Sequence, residues 1–490
     1  MNLYDALTQY TSSDAYPFHM PGHKRRSAHL CDPARIDLTE IDGFDNLHHA
    51  EGILRDAQER AAALYGSSET HFLVNGSTAG ILSAIGALSK PDDCLLMARN
   101  SHRSAFNAAA LSRVRTAYLY PGKCDRESSP DHYPADNLKE DSFSSLVSSI
   151  NAPIDPMQVA YALDHLENVC AVFLTSPTYD GVVSDVAKIA QIAHSHGVPV
   201  IVDEAHGAHF GIHDIFPESS VKLGADLVIH SLHKTLPALT QTALIHVNGP
   251  LVDRRKLRHL LSVYQTSSPS YVLMASIDQC IRLLTEEGNA LFDAYAKRLQ
   301  DFYVRTKLSH LSFLRTDDPS RILIRPGDSN AMQLYHTLRE RFHLQPEMVT
   351  PHYVLMLSSV CDDDDGFERL SEALLTLDEE LGREYAAAGL IHGRNLIYPV
   401  TPPSFEDDVC CTIAQALEAE TEAVSFSRAE GRISAEYLFC YPPGVPLLVP
   451  GERIRAGIFC TAKAMLENGY SMQGLDDRSL QFIRVICKKD

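Results

Sequence analysis

The sequence predicts an α/β fold in which helices cover a mostly parallel β-sheet, followed by smaller α+β units. Between about residues 51 and 248, short apolar runs rich in β-branched residues alternate with helical patterns, which is typical of such a sheet. The chain has 490 residues, more than one hydrophobic core normally contains. We therefore expect an N-terminal segment (1–50), a large domain (51–290), a small α+β domain (291–390) and a C-terminal domain (391–490).

Seven apolar runs of the large domain are candidate strands. They are His71–Val74, Cys94–Ala98, Val114–Tyr120, Val169–Thr175, Val198–Val202, Leu227–Ile229 and Ala243–Val247. The helical patterns between them include Glu51–Tyr65, ended by Gly66, then Ile81–Leu88, and Asp185–His196, capped by Ser184 and ended by Gly197. Strands and helices thus alternate as a parallel sheet requires.

Three other parts of the sequence do not follow this alternation of strands and helices. Ser329–Phe342 and Gly366–Leu381 are predicted helices that flank a strand at Tyr353–Ser359, as in a small α+β domain. Pro121–Pro156 is a polar insert rich in Ser, Asp and Pro, which predicts irregular structure. Tyr441–Glu452 contains too many prolines for a helix.

Composition and charge exclude several classes of partner. Apolar residues make up 45% and charged residues 22%, as in soluble globular proteins, and no apolar run approaches a membrane span. The start, Met1–Tyr10, lacks the pattern of a secretory signal, and the eleven cysteines are scattered, so we expect a reducing cytoplasm. The net charge of −20 argues against binding a phosphate backbone. We expect neither nucleic acid nor membrane as a partner.

Two polar residues follow neighbouring predicted strands. Asp203 ends the run Val-Ile-Val-Asp, and Lys234 lies in Ser-Leu-His-Lys after the next strand. Open α/β sheets bind ligands at the carboxyl edge of their strands. A carboxylate there suits the pyridine nitrogen of pyridoxal 5′-phosphate (PLP), and a lysine suits a Schiff base with it. Either residue alone fits an ordinary strand end or loop, but their order and placement favour the cofactor.

A strand, a small polar turn and a helix follow one another around Ser77 and Thr78. Free backbone N–H groups and the helix dipole make such a helix start a phosphate site, to which the two hydroxyl groups add donors. A plain helix cap explains the same residues if they are considered alone. The turn lacks the lysine of a P-loop, which disfavours nucleotide binding.

Three histidines and an acidic run also bear on function. His102 follows a strand and is a candidate to stack on an aromatic cofactor, although a solvated loop histidine fits equally well. His206 and His209 are three positions apart, but Gly207 predicts a turn, so we expect no metal. The run Asp362–Asp365 is predicted to be a solvated turn before a helix.

Taken together, these motifs resemble the PLP-dependent ornithine/lysine/arginine decarboxylases, in a short form without the N-terminal wing domain. The resemblance extends along most of the chain and rests on His19–Lys24, Glu40–His48, Glu51–Leu54, Asn75–Thr78, Asp203–His209, Ser231–Thr235, Tyr441–Gly444 and Pro450–Glu452.

That resemblance implies an aspartate aminotransferase-like fold (fold type I), with a decarboxylase-like C-terminal domain, in a homodimer or higher homo-oligomer. The implied reaction converts arginine, lysine or ornithine to agmatine, cadaverine or putrescine and CO₂. It leaves open which substrate is used and whether the role is polyamine supply or acid resistance. An aminotransferase, with Arg453 or Arg455 holding a carboxylate, and a non-catalytic regulatory subunit are the alternatives.

The resemblance also implies roles for individual residues. Lys234 forms the Schiff base, Asp203 pairs with the pyridine nitrogen and His102 stacks on the ring. The phosphate is surrounded by Ser77, Thr78, Ser231 and His233. The catalytic set is Lys234, His233 and His206, with Lys234 or His233 as the general acid at the substrate α-carbon.

The substrate's distal cationic group has three candidate carboxylates. These are Asp42, Asp45 and Glu452. Surface charge or helix capping explains them equally well.

Overall fold

The computed structural model describes residues 2–26, 32–121, 152–327, 329–388, 409–440, 444–467 and 471–488. Most of the predicted insert Pro121–Pro156, and the residues 441–443, lie outside the described residues. The chain begins with helix α1 (Leu3–Thr11), capped by the Asn2 side chain, and strand β1 (Tyr16–Phe18). This N-terminal segment then packs on the small domain.

A seven-stranded sheet forms the centre of the large domain. Its strands are β2 (Glu69–Leu73), β3 (Cys94–Ala98), β4 (Arg115–Leu119), β5 (Val169–Thr175), β6 (Val200–Asp203), β7 (Leu227–His230) and β8 (Ala243–Val247), in the spatial order β2-β8-β7-β6-β5-β3-β4. All seven predicted strands are confirmed. Strand β8 runs antiparallel to both of its neighbours, β7 and β2, whereas the other described strand pairs of this sheet are parallel. The predicted mostly parallel sheet is thus confirmed.

Helices cover both faces of this sheet. They are α2 (Ile53–Tyr65), α3 (Gly76–Leu88), α4 (Arg103–Leu111), α5 (Pro156–His165), α6 (Val186–Ser195), α7 (Leu232–Thr235), α8 (Arg254–Tyr264) and α9 (Tyr271–Arg305). The strands β3, β6, β7 and β8 are buried at every position, as expected of a sheet covered on both faces. Asp203 and His230, the last residues of β6 and β7, are therefore buried polar side chains.

The predicted helices are confirmed, with one correction to a cap. Helix α2 ends at Gly66, whose φ of +76° is the left-handed conformation that glycine adopts without strain. Helix α6 is capped by Asp185 and not by Ser184, because the Asp185 carboxylate accepts a hydrogen bond from the backbone of Lys188. The Ser184 hydroxyl accepts instead from the Ile154 backbone at 3.0 Å.

The small domain is built on a four-stranded antiparallel sheet in the order β12-β13-β10-β9. Its elements are β9 (Ser312–Leu314), β10 (Arg321–Arg325), α10 (Ala331–Glu340), β11 (Leu344–Pro346), β12 (Met348–Val349), β13 (Val354–Leu357) and α11 (Asp364–Ala388). The two predicted helices and the strand between them are confirmed. Strand β11 pairs with β1 in parallel, which attaches the N-terminal segment to this domain.

The acidic run before α11 corrects one prediction. Asp362 is not solvated: it is only 2% exposed, and its carboxylate lies 3.8 Å from the buried Nζ of Lys24. The Tyr16 hydroxyl donates to the same carboxylate at 3.0 Å. The run looks like surface charge in the sequence because its partners come from the other end of the chain.

The C-terminal part contains two small sheets, of order β14-β18 and β16-β15-β17. Its elements are α12 (Ile413–Glu418), β14 (Thr421–Ser425), α13 (Phe426–Ala429), β15 (Leu438–Cys440), β16 (Pro446–Leu448), α14 (Ala456–Glu467), β17 (Met472–Gln473) and β18 (Phe482–Ile486). The proline-rich stretch forms no helix where it is described, in agreement with the prediction. Among the described helices, none has the length and hydropathy to cross a membrane.

Candidate active site

Asp203 and Lys234 meet at the carboxyl edge of the central sheet. Asp203 ends β6, and Lys234 lies in the short helix α7 directly after the adjacent parallel strand β7. Burial lowers the pKa of Lys234 to about 8, while the charge of Asp203 acts to raise it. Burial raises the pKa of Asp203, against the opposing charge of Lys234. The two predicted residues therefore interact electrostatically.

His206 lies between Lys234 and an aromatic wall. Its Nε2 atom is 2.9 Å from Lys234 Nζ, and its ring packs on Tyr179 with centroids 4.4 Å apart. Burial and the charge of Lys234 hold the pKa of His206 well below its usual value, so the ring is neutral. An ammonium group only donates, so Nε2 accepts from Lys234 and the proton resides on Nδ1, which has no hydrogen-bond partner within the described residues.

The predicted phosphate turn opens helix α3. Gly76 there has a φ of +73°, and the N-cap residue Asn75 makes no side-chain hydrogen bond to the first turn. Ser77 is half-buried and Thr78 is exposed. The first-turn N–H groups are therefore not satisfied by a side-chain cap, which is the arrangement of an anion site.

Two hydroxyl groups near Lys234 are buried without a partner. The Oγ of Ser231 and the Oγ1 of Thr235 form no hydrogen bond within the described part of the chain. A buried hydroxyl without a partner costs free energy, which a bound anion would recover. Thr235 was not predicted as a site residue, although it is adjacent to Lys234. These orphaned donors and the open helix start fit the phosphate of PLP.

His233 and His102 are both neutral at physiological pH. Burial lowers the pKa of each to about 4. The Nδ1 of His233 is 3.0 Å from the backbone oxygen of Thr242, and that of His102 is 2.8 Å from the Ser104 hydroxyl. The charge of Lys234 also lowers both pKa values, so both rings lie near that lysine.

Glu347, from the small domain, is a site residue that the sequence did not reveal. Its charge acts to raise the pKa of Lys234. The Tyr179 hydroxyl donates to one carboxylate oxygen, and the Met20 backbone N–H donates to the other at 2.9 Å. The sequence gives no local signal for Glu347, because it approaches Lys234 only when the small domain packs on the large one. Tyr179 instead belongs to the large domain and follows strand β5 of the same sheet.

A buried ion pair supports the turn that carries His206. The guanidinium of Arg321 donates to the backbone oxygen of His206 at 2.6 Å, and its Nε is 3.3 Å from Asp318. Asp318 is also 3.2 Å from the Nε2 of His209. His206 and His209 thus face different partners, and no group of three potential metal ligands occurs within the described residues.

The structure shows the surroundings of the three carboxylates that were candidates for the substrate's distal cationic group. Asp45 accepts hydrogen bonds from the backbone N–H groups of Gly52 and Leu54, and so caps helix α2. Glu452 forms a buried ion pair with Arg99 at 3.2 Å. Asp42 is exposed on the surface. Helix capping, one of the two explanations considered, agrees with the contacts of Asp45, whereas the buried ion pair of Glu452 is neither surface charge nor a cap.

The fold identifies the structural class to which the protein belongs. The structure shares its fold with a serine palmitoyltransferase of Sphingomonas wittichii, with a TM-score of 0.54 and 15% identity over 75% of this chain and 88% of that one. The architecture is therefore the predicted fold type I.

The family follows from closer matches. Residues 1–326 match the model of the Orn/Lys/Arg decarboxylase major domain, and residues 408–465 match that of its C-terminal domain. An arginine decarboxylase of Bacillus anthracis is 30% identical over 99% of this chain and 97% of its own length. The constitutive lysine decarboxylase of E. coli superposes with a TM-score of 0.70 and 19% identity, covering 99% of this chain and 81% of that one. The chain belongs to the Orn/Lys/Arg decarboxylase family and is a decarboxylase.

Proposed function

We propose that the protein is a PLP-dependent decarboxylase that converts arginine, lysine or ornithine to the corresponding amine and CO₂. The partly buried amine of Lys234, which is hydrogen-bonded to His206 and feels the charge of Asp203, is the observation that carries the proposal. When bound, PLP supplies an electron sink for the carbon that loses CO₂. The protein's residues then determine what is bound, how it is oriented and where protons move.

The cofactor would be held by residues of the large domain. Asp203 provides the carboxylate for the pyridine nitrogen, and His102 the neutral ring that stacks on the cofactor. The phosphate is assigned to Ser77, Thr78, Ser231 and His233, with Thr235 added because its hydroxyl is buried and has no partner within the described residues. Neutral histidines suit this environment, since they add no charge beside the ring.

Lys234 is the favoured proton donor at the substrate α-carbon. Its pKa of about 8 leaves it mostly protonated at neutral pH yet able to give up the proton. His233, the other candidate, has a pKa of about 4 and is therefore already neutral. His206 would orient the Lys234 amine by accepting its hydrogen bond.

Glu347 is our candidate for the distal ammonium or guanidinium group of the substrate. Its carboxylate uses one hydrogen bond on each oxygen, which leaves accepting capacity on both. The packed rings of Tyr179 and His206 link it to Lys234, and offer a wall for the substrate's methylene chain.

A substrate panel tests the reaction. Purified protein with PLP is expected to release CO₂ from at least one of arginine, lysine and ornithine without a 2-oxo acid. Dependence on an added 2-oxo acid would identify an aminotransferase, and no release from any of the three would reject the proposal. Lys234→Ala should abolish both turnover and the visible absorption band of bound PLP.

We further propose that the enzyme acts in the cytoplasm as a homodimer or higher homo-oligomer, divided into domains at about residues 50, 290 and 390. Helix α1 supports an assembly, because Leu3, Tyr4 and Leu7 are more than half exposed there. Light scattering on the purified protein measures the mass directly, and a monomer at micromolar concentration would contradict the assembly.

A further inference from the structure

A chain of buried polar side chains crosses four neighbouring strands of the central sheet. Glu204 directly follows β6, His230 ends β7, His246 lies in β8 and Thr70 lies in β2. Each is at most 3% exposed. None of them belongs to the catalytic or cofactor-binding set, so polar groups in this apolar layer require another explanation.

Hydrogen bonds join these four residues without a gap. The Nε2 of His230 is 2.8 Å from Glu204, and its Nδ1 is 3.1 Å from the Nε2 of His246. The Nδ1 of His246 is 2.8 Å from the Thr70 hydroxyl, which in turn is 2.7 Å from the hydroxyl of Ser67. Both ring nitrogens of His230 and both of His246 are therefore paired. Full pairing is the condition under which a buried polar network adds rigidity.

Glu204 is the end of the chain nearest the active site. Its carboxylate also accepts from the Ser219 hydroxyl at 2.7 Å and from the Ser220 backbone N–H at 2.8 Å. A carboxylate that accepts three hydrogen bonds is fixed in position. It can only accept, so His230 donates to it through Nε2.

The Glu204–His230 bond extends the pairing of two strands that carry site residues. Backbone pairing of β6 with β7 ends at Asp203 opposite Ile229, so Glu204 and His230 are the next opposed pair. Asp203 directly precedes Glu204, and Ser231 directly follows His230. The side-chain bond thus sets the separation of the two peptides that present Asp203 and Ser231.

Tyr65 connects the same chain to the turn that carries His206. Its ring packs against those of His230 and His246, with centroid distances of 4.8 and 4.7 Å. Its hydroxyl donates to the backbone oxygen of Ala208 at 2.7 Å. A shift of the two histidines therefore moves an anchor of this turn.

We propose that Glu204, His230, His246 and Thr70 are positioning residues that hold Asp203 and Ser231 for the ring and phosphate of the cofactor. The inference rests on the proposed function, because it assumes that Asp203 and Ser231 bind PLP. Its rival is a role in stability alone, in which the chain holds the sheet together without affecting the cofactor.

Two substitutions of Thr70 separate these roles. Thr70 is at the opposite end of the hydrogen-bonded row of side chains from Glu204. Thr70→Val keeps the shape but removes the hydroxyl, which leaves His246 Nδ1 unpaired, whereas Thr70→Ser keeps the hydroxyl. The dissociation constant of PLP from the apo protein is the readout. We expect Thr70→Val to raise it at least ~5-fold, the effect of one buried hydrogen bond, and Thr70→Ser to leave it within about 2-fold of the wild type.

Glu204→Gln tests the near end against a matched control. The amide cannot accept at every position that the carboxylate serves, so PLP affinity should fall further than in Thr70→Val. Glu218→Gln, at a half-exposed glutamate paired with Lys222, should leave the affinity unchanged. If Glu204→Gln does not fold, the Thr70 pair decides.

The outcomes distinguish this inference from the proposed function. A wild-type protein that binds no PLP overturns the proposed function and this inference with it. A wild type that binds PLP, together with a Thr70→Val variant of lowered thermal midpoint but unchanged PLP affinity, overturns this inference alone.

Discussion

The Nζ atom of Lys234 lies 2.9 Å from the Nε2 atom of His206. These side chains come from two neighbouring strand ends, and His206 is neutral because burial disfavours its charged form. A neutral ring accepts a hydrogen bond from the lysine without competing for its proton. His206 is thus suited to orienting the amine that is to bind the cofactor.

Replacing His206 by Phe should lower kcat by about 10²-fold, because a ring that packs on Tyr179 is kept while the amine loses its acceptor. Steady-state CO₂ release measures the effect, and the PLP absorption band should remain. His196→Phe, at an exposed histidine, is the control. An unaltered kcat in His206→Phe would exclude this orienting role.

The pH dependence of cofactor attachment should report the pKa of Lys234, which is about 8. Only the neutral amine can attack the aldehyde of PLP, so the rate at which the absorption band appears should rise with pH through that value. Glu347→Gln removes a negative charge that raises this pKa, and the midpoint should therefore move to lower pH.

Stopped-flow mixing of apo protein with PLP at a series of pH values measures this midpoint. Glu340→Gln, at an exposed glutamate of α10, should give the wild-type profile. A Glu347→Gln midpoint that stays in place or moves upward would contradict the assigned proximity.

Asp318→Asn should destabilise the protein by about 3–5 kcal/mol, because it leaves the buried guanidinium of Arg321 without its counter-charge. Thermal or urea unfolding measures the loss. Arg341→Met breaks an ion pair with Glu380 whose arginine is half exposed, and should cost at most about 1 kcal/mol. Similar losses in the two variants would argue against a special contribution of the buried pair.

Asp318 should also make the free energy of unfolding depend on pH in the acidic range. Burial alone would raise the pKa of Asp318, but the charges of His209 and Arg321 outweigh it and hold the pKa below the ordinary value. Its contribution is therefore complete above about pH 4 and is lost as pH falls toward the native pKa. Asp318→Asn should flatten this part of the stability profile, and an unchanged profile would assign the acid sensitivity to other groups.

Lys24→Met should release the N-terminal segment from the small domain. The Nζ of Lys24 donates to the backbone oxygens of Pro17 and Leu357 at 3.0 and 2.7 Å and lies near Asp362, all of which lose their partner. Faster cleavage within residues 2–26 in limited proteolysis is the expected result. Lys297→Met, at an exposed lysine, should behave as the wild type, and equal cleavage of both variants would count against this anchor.

Local pattern was sufficient to predict much of the fold. Cys94–Ala98, buried at every position, and Val169–Thr175, buried at its centre, are continuous apolar runs, and their bounds were predicted without error. Asp203 and Lys234 were recognisable from their order and their placement at the ends of neighbouring strands, although either residue alone would be ordinary there. Helix caps were less certain, since adjacent Ser184 and Asp185 are both good caps and only backbone geometry chooses between them.

The sequence by itself determined the mostly parallel sheet, the strand ends that carry Asp203 and Lys234, and the motifs that place the chain in its family, because these depend on residues close together in the chain. Only the tertiary structure decided that Glu347 faces Lys234, that Asp362 is buried and that His230 joins Glu204 to His246. Those contacts join residues that are far apart in the sequence, on different strands and domains. No local pattern in the chain records such pairings.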